Sequence, residues 1–569
     1  MKEFLKQEKN KWILLGGILL LTFLLYGRVL NNGFAVDDFP AIVNNDLVQE
    51  GVGGISEIFQ ESFYYGYDQR KEANEYRPIT SSFYALEVSL FGEKPMGYHA
   101  GSLLLYGLLL WVLFLFLSRL LSWHYAAAGT MLYALIPVHS EVVANIKAQD
   151  DLLMAFFLFL SFYAWTRKEE RGFLITAIVG YLLAVLSKES AVPMLLVFPA
   201  LDMLRQQKLD KKAALFLAPG IVYLLVRSSV IEGVAKVDVV NNALAFSSGY
   251  AEQSAMGFAL FVEYIWLLLA PYSLSWDYSF NHFELHGWMH WESILGLLLF
   301  AGAAVLILKK FRKPDLLVWS IFFFLLSIFL YLHLLFLLEA TFAERFLFLP
   351  SFAFVIMLLE AQKKWNVLKW AFAVVAIFWS VVVWNRAGDW KDNLTLFEAD
   401  IEKVPKSIRA NSALAFALYE QAIATEEADQ PTLERAAELY RNAINIYGND
   451  ASTWYNFGMC NLAMGDYTMA ELCFKDCLRL KPNHTLAFNN LGNIQYLKGE
   501  HELAKSYYSL AIQADSKNAE AWSNLGAEYL LFKQNDSAYY ALEVAVQLDP
   551  KNENAAYNRD IAKKRLGIQ

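Results

Sequence analysis

Two adjacent carboxylates, Asp37 and Asp38, stand in the stretch GFAVDDFPAIVNND, a few residues beyond a long apolar run. Neighbouring carboxylates repel each other and are costly near low-dielectric surroundings. They are therefore either solvated loop charges or partners for something cationic or reactive. Other ionisable residues recur where apolar runs begin or end: Arg77 in YRPIT, His99 in GYHAGS, and His139, Glu141, Lys147 and Asp151 in PVHSEVVANIKAQDD. Lys188 and Glu189 follow in LSKES, and Glu344 and Arg345 in FAERFLFLPS. Isolated charges at helix ends usually serve as interfacial anchors. Acids and bases gathered on one face are harder to explain that way, because ionisable groups at membrane depth are expensive and tend to be functional. A carboxylate there can take the proton from a hydroxyl that attacks an electrophilic carbon. Arginine or lysine can hold a phosphate and offset the charge that builds as it leaves. That set suits glycosyl transfer from a polyprenyl-phosphate sugar, a lipid whose head group lies at the membrane surface.

The elements that must position these groups are apolar helices. The chain has 569 residues, 56% hydrophobic and 18% charged, with 15% aromatics. That balance excludes an ordinary soluble protein, and the length exceeds one domain. The net charge of -9 is spread out, and without a basic block interleaved with aromatics no nucleic-acid partner is expected. WILLGGILLLTFLLYGRVL is long enough to cross about 30 Å of hydrocarbon and too long for a cleaved signal peptide. Further apolar runs start near 99, 124, 151, 172, 190, 213, 292, 315, 346 and 367. Basic clusters at the N-terminus, 167–171, 205–212, 309–313 and 362–369 all fall on one side if these make eleven crossings, with the N-terminus cytoplasmic. The apolar segment 256–273 then reads as re-entrant or interfacial, since counting it would invert everything downstream. Residues 31–98 form a long outer loop, expected as a pair of short amphipathic helices against the membrane face.

From about residue 405 the composition turns soluble and a fixed period appears. Segments of 34 residues begin at 451, 485 and 519, with Trp454, Phe488 and Trp522 in register. Gly458, Gly492 and Gly526 recur where two helices must approach, and Ala470, Ala504 and Ala538 recur on the second helix. This period and pattern identify tetratricopeptide repeats. A looser repeat occupies 407–450, and 553–569 reads as a capping helix. Asn456, Asn490 and Asn524 share one repeat position and are expected to form a ladder of amides able to hold an extended peptide backbone. The three cysteines, Cys460, Cys473 and Cys477, read as small buried thiols. His282, His286 and His290 are spaced by four and would form one imidazole stripe on a helix, but no paired acid completes a metal shell. Trp288 and Trp291 favour an interfacial belt there, so a divalent metal is possible but not the favoured reading.

The stretches FAVDDFPAIVNND, YRPIT, PVHSEVVANI, LSKES, AERFLFLPS and NRAGDWKDNLTLFEADIEKVP, followed by 34-residue repeats, resemble the transmembrane and tetratricopeptide repeat-containing (TMTC) family. Those proteins look like GT-C glycosyltransferases related to protein O-mannosyltransferases. The resemblance implies an all-α fold: a GT-C membrane bundle of about eleven helices (1–398), then an extracytoplasmic α-solenoid of repeats (399–569). It implies transfer, with inversion, of mannose or another hexose from a polyprenyl phosphate to Ser or Thr hydroxyls of a protein or peptide acceptor. No cofactor is required by that reading, and the site includes no metal. Asp37 is then the first choice for general base, with Asp38 as its orienting neighbour or substitute. Arg77, Arg345 and Lys188 are the candidates for holding the donor phosphate. His139, Glu141 and His99 are assigned to the site's wall or acceptor side. One departure stands out, because relatives often read Gly-Arg-x-Asp where this chain has AQDD, so Gln149 replaces a cation. Rival readings are transfer to a lipid-linked or surface glycan, and a non-catalytic scaffold anchored in the bilayer. The expected location is a bacterial inner membrane with the repeats periplasmic. The endoplasmic reticulum is the alternative, for which glycans at Asn393, Asn483 or Asn535, each opening an N-x-Ser/Thr pattern, would speak.

Overall fold

The computed structural model describes residues 2–66, 75–231, 233, 236–365, 368–424 and 428–568. It is all-α, with no strand among the described residues. The chain forms two compact units, residues 1–404 and 405–569.

In the first unit a helix stands at each of the eleven places where an apolar run was expected. Five helical segments among the described residues are long and apolar enough to cross a bilayer: Asn10–Asn31, Pro95–Leu120, Lys211–Val230, Trp291–Lys310 and Trp370–Asp389. The other six runs form shorter helices, of which Trp123–Leu135 and Pro350–Lys364 are typical. At about 1.5 Å per residue, 13 to 15 residues reach only about 20–23 Å. The run near 190 is broken further, because Pro193 sits in a 3-10 segment, Glu189–Leu196, before the helix Val197–Gln206. The structure therefore supports a helical membrane bundle without establishing eleven crossings. Outward side chains such as Leu308, Ile377 and Trp370 are exposed, as an apolar solvent would require.

Residues 256–269 of segment 256–273 lie in the helix Tyr250–Leu269, and 270–273 form the turn that follows it. The helix meets its neighbours through glycines: a Cβ on Gly257 would strike the Leu332 carbonyl, and one on Gly296 the Phe258 carbonyl. Residues 31–98 hold more than two short amphipathic helices. Asp46–Gln49, Ile55–Ile58 and Pro78–Phe91 pack around a small core of Ile42, Val48, Phe63, Tyr84 and Tyr98, which Ile146 also joins. The region is thus a folded cap with its own apolar centre. Its connection to the last long helix sets the position of Asp37.

The second unit is a stack of helix pairs, and the three 34-residue repeats share one close glycine contact between their helices. Cβ atoms at Gly458, Gly492 and Gly526 would lie 2.6, 2.5 and 2.5 Å from Phe474, Tyr508 and Leu542, so only glycine allows these helices to close. Ala470, Ala504 and Ala538 are fully buried opposite them. Trp454 and Trp522 donate their indole N–H to Gly448 and Ser516 carbonyls, fastening these two repeats to the turn before each. Cys460, Cys473 and Cys477 are buried free thiols.

Candidate active site

Asp37 and Asp38 are adjacent in sequence but differ in surroundings. Asp38 is 1% exposed. Its Oδ2 accepts the backbone N–H of Ala35 at 2.8 Å, and its Oδ1 that of Lys147 at 2.7 Å. Burial pushes its carboxyl up to about 7, against the pull of these two donors. Asp38 is a bracket between the loop and residue 147. Asp37 is half-buried, and its carboxylate has no hydrogen-bond or ion-pair partner among the described residues.

The backbone around Asp37 is held from the far end of the first unit. Arg28 Nη1 donates to the Trp384 carbonyl at 2.9 Å, Asn32 Nδ2 to Ala387 at 3.1 Å, and the Gly33 N–H to Lys391 at 2.8 Å. Val36 lies in the left-handed region at φ 49°, unusual for a β-branched residue. Its N–H donates to Asn393 Oδ1 at 2.8 Å. The segment that leaves the long helix Leu368–Asp389 therefore sets the conformation of the residue before Asp37. That segment is itself locked: Arg386 forks onto Asp400 at 2.6 and 2.9 Å, and Asp400 also accepts the Trp276 N–H at 2.7 Å.

Three of the expected cations take different roles. Arg77 donates to Glu189 at 2.6 and 3.0 Å and to Asp150 at 2.6 Å, and pairs with Glu75 at 2.8 Å. Lys188 binds Asp151 at 2.6 Å and Asp150 at 3.3 Å, while Lys147 lies 3.4 Å from Asp150. Here three cations meet four carboxylates, so Arg77 and Lys188 have no uncompensated charge for an incoming phosphate. Their structural place is the framework that fastens residues 75–77, 147–151 and 188–189 together. Arg345 is different. It is 21% exposed, and its Nη1 and backbone N–H hold the two oxygens of Glu141. Its Nε and Nη2 have no partner among the described residues. Burial works against its charge, but Glu141 and then Asp37 outweigh it, raising the guanidinium pKa. Arg345 is thus the cation that feels Asp37 and keeps a donor edge open.

The two histidines are core residues. His139 is fully buried, with Nδ1 3.0 Å from the Tyr106 hydroxyl and Nε2 2.8 Å from Ser351 Oγ. His99 is fully buried, with Nε2 3.3 Å from the Gly33 carbonyl. Glu141 acts by holding Arg345. Gln149 is buried and donates to Glu87 at 3.2 Å, to the Tyr98 carbonyl at 3.0 Å and to Ser102 at 3.1 Å. Burial pushes the Glu87 carboxyl up to about 9, so at neutral pH the pair is an uncharged acid and an amide. A missing cation at 149 is thereby matched by a missing anion at 87.

Sequence reasoning passed over Glu75, Asp150, Glu87 and Tyr278. Tyr278 donates to the buried Glu344 at 2.9 Å, next to Arg345. Burial pushes Glu344 up to about 8. The only available signal was proximity in sequence, with Glu75 two residues before Arg77 and Asp150 beside Asp151. Asp277 accepts from Ser279 Oγ at 2.7 Å and supports its own turn. A cavity of about 150 Å³ lined by Trp266, Tyr278, His282, Phe283, Phe342 and Lys403 lies beside this segment, and none of the expected site residues lines it. The histidine stripe is not helical: residues 281–290 are turns and loop, and His282 packs against Tyr278 and Phe283. An acid does join the other two, because Glu292 lies beside His286 and His290.

The chain is 23% identical over 442 residues to the protein O-mannosyl-transferase F38B6.6 of Caenorhabditis elegans, covering 75% of this chain and 62% of that one. It is 24% identical over 506 residues to human protein O-mannosyl-transferase TMTC1, covering 76% and 55%. Over about three quarters of its length the chain is similar to these protein O-mannosyl-transferases. It spans about 55–62% of the length of these two relatives. Residues 419–556 match the family described as the cilia and flagella-associated protein 70 middle TPR-like domain. The crystal structure of MamA matches 28% of this chain and 87% of its own at 16% identity, with a TM-score of 0.25.

The amide ladder of the repeats is partly internal. Asn490 donates to the Tyr455 hydroxyl at 3.2 Å, and Asn524 to Asn489 and Asn493 at 3.1 and 3.2 Å. These amides tie successive repeats together, which leaves fewer donors for a peptide than a free ladder would offer. Asn456 is half-buried.

Proposed function

We propose that this chain is a membrane glycosyltransferase that moves mannose or another hexose from a polyprenyl-phosphate donor to Ser or Thr hydroxyls of extracytoplasmic proteins. The observation that carries the reading is the contrast at Asp37: an unpartnered, half-buried carboxylate in the field of Arg345, on a loop held by hydrogen bonds to residues 384–393. In this reading Asp37 takes the proton of the acceptor hydroxyl, whose oxygen attacks the anomeric carbon from the face opposite the phosphate. The bond from that carbon to the phosphate oxygen breaks, the sugar inverts, and polyprenyl phosphate leaves with the electron pair. The open Nε and Nη2 edge of Arg345 faces the charge that develops on the phosphate. Arg77, Lys147 and Lys188 act indirectly, by holding the loops that carry the site. The repeats present the acceptor protein, and the bundle sits in a bacterial inner membrane with the site on the outer side. No metal takes part in the transfer.

Mass spectrometry of extracytoplasmic proteins from a strain lacking the gene tests this reading. Loss of hexose from Ser or Thr residues is expected, whereas an unchanged protein set with a shortened surface glycan would contradict the protein acceptor.

A further inference from the structure

The loop before the helix Trp291–Lys310 carries a cluster that the transfer chemistry does not use. His286 Nε2 lies 3.7 Å from Glu292 Oε2, and His290 Nδ1 contacts the same oxygen. One ligating atom from each residue falls within 4.8 Å of the others. Nitrogen and oxygen donors at roughly 2.0–2.2 Å from a tetrahedral ion lie about 3.3 Å apart, so the set closes when one of the two imidazoles turns out of their stack to aim its in-plane lone pair at the ion. Two imidazoles and a carboxylate are a donor set of the kind that holds Zn²⁺ with one position open to water. Glu292 is fixed in the first turn of its helix. The buried Ser293 Oγ lies 3.4 Å from His286 Nδ1, which orients the ring so that Nε2 faces the carboxylate. The imidazoles of His286 and His290 stack at 3.8 Å with their planes 15° apart, and His290 is 44% exposed, which gives an ion a way in.

We infer that His286, His290 and Glu292 bind one divalent transition-metal ion of the Zn²⁺ class, which ties the loop 279–290 to the start of the helix Trp291–Lys310. Just before this loop stands Tyr278, the residue that supports Glu344 beside Arg345. The ion is therefore a brace for that support and takes no part in bond making.

The test uses the full-length protein in detergent, purified through a histidine-free tag, stripped with chelator and titrated with Co²⁺ as a visible-absorbing probe. One Co²⁺ per chain is expected, with ligand-field bands that Zn²⁺ displaces. Stoichiometric binding is expected to be lost in His286→Ala/His290→Ala and weakened at least about tenfold in Glu292→Gln. No binding by the wild type, or equal binding by the double variant, overturns the inference. A thiolate charge-transfer band does so as well, by placing the ion on the repeat-domain cysteines. Should the double variant not fold, limited proteolysis of the wild type decides: Zn²⁺ is expected to slow cleavage within 279–290, and unchanged cleavage contradicts the site. None of these readouts depends on sugar transfer.

Discussion

Asn393→Ala is expected to impair catalysis far more than folding. Val36 sits at φ 49°, where a residue bearing a Cβ loses roughly 1–2 kcal/mol, and more for a branched side chain. The bond from its N–H to Asn393 Oδ1 returns about 0.5–1.5 kcal/mol. The two effects nearly balance, so removing the amide lets Val36 relax to negative φ and turns the following residue, Asp37, away from its place. If the relaxed form lies about 1.4 kcal/mol lower, only about a tenth of the molecules keep the working geometry. Transfer should then fall about tenfold while the unfolding midpoint changes little. Adding Val36→Gly should recover much of the loss, because glycine adopts positive φ without strain. The assay is initial rate in detergent micelles with a synthetic polyprenyl-phosphate sugar and an acceptor peptide, for both single variants and the double. Full activity in Asn393→Ala, or no recovery in the double variant, would refute this account of how Asp37 is positioned.

Four further outcomes follow from the same structure. Glu87, pushed up to about 9 by burial, binds its proton more tightly folded than unfolded, where a glutamate titrates near 4.3. Its contribution is fully present below that lower value and is lost as pH rises toward 9. Glu87→Gln should therefore flatten the decline of melting temperature between pH 6 and pH 9. Arg386→Met removes two charged hydrogen bonds from the buried Asp400, leaving Lys403 as its cation, and should destabilise the first unit by about 1.5–3 kcal/mol, read as a lowered melting temperature. Arg345→Met should lower kcat strongly, and Arg345→Lys should restore only part of it, because lysine cannot present the same planar fork. Gly492→Ala drives a methyl into the Tyr508 ring and should cost the repeats about 1–3 kcal/mol, visible as faster hydrogen exchange in 485–518.

How much of this was legible depended on how local each feature is. The repeats could be read directly, because each glycine meets an aromatic or leucine side chain 16 residues on, within one repeat. Helix positions in the bundle were also legible, since long apolar runs have few other solutions. Span lengths were not, because the break at Pro193 and the 3-10 turns at 189–196 and 211–216 hardly alter the average apolarity. The different characters of Asp37 and Asp38 were hidden as well: Asp38 is decided by the N–H of Lys147, 109 residues away. Arg77 and Lys188 looked like free cations because their compensating acids come from three separate segments. The histidine spacing of four imitated a helix, yet Gly287 lies in an irregular loop. The acid that joins His286 and His290 stands two residues past the last histidine.

The central claim is that Asp37, and not Asp38, removes the acceptor's proton. The direct measurement is the single-turnover transfer rate of purified wild type, Asp37→Asn and Asp38→Asn at equal folded fractions, with saturating donor and peptide. A loss of about 10²–10⁴ in Asp37→Asn is expected, with unaltered donor binding, as for removal of a general base. Asp38→Asn should mainly lower the melting temperature, since its oxygens hold two backbone N–H groups. An Asp37→Asn enzyme that transfers sugar at the wild-type rate would contradict the account.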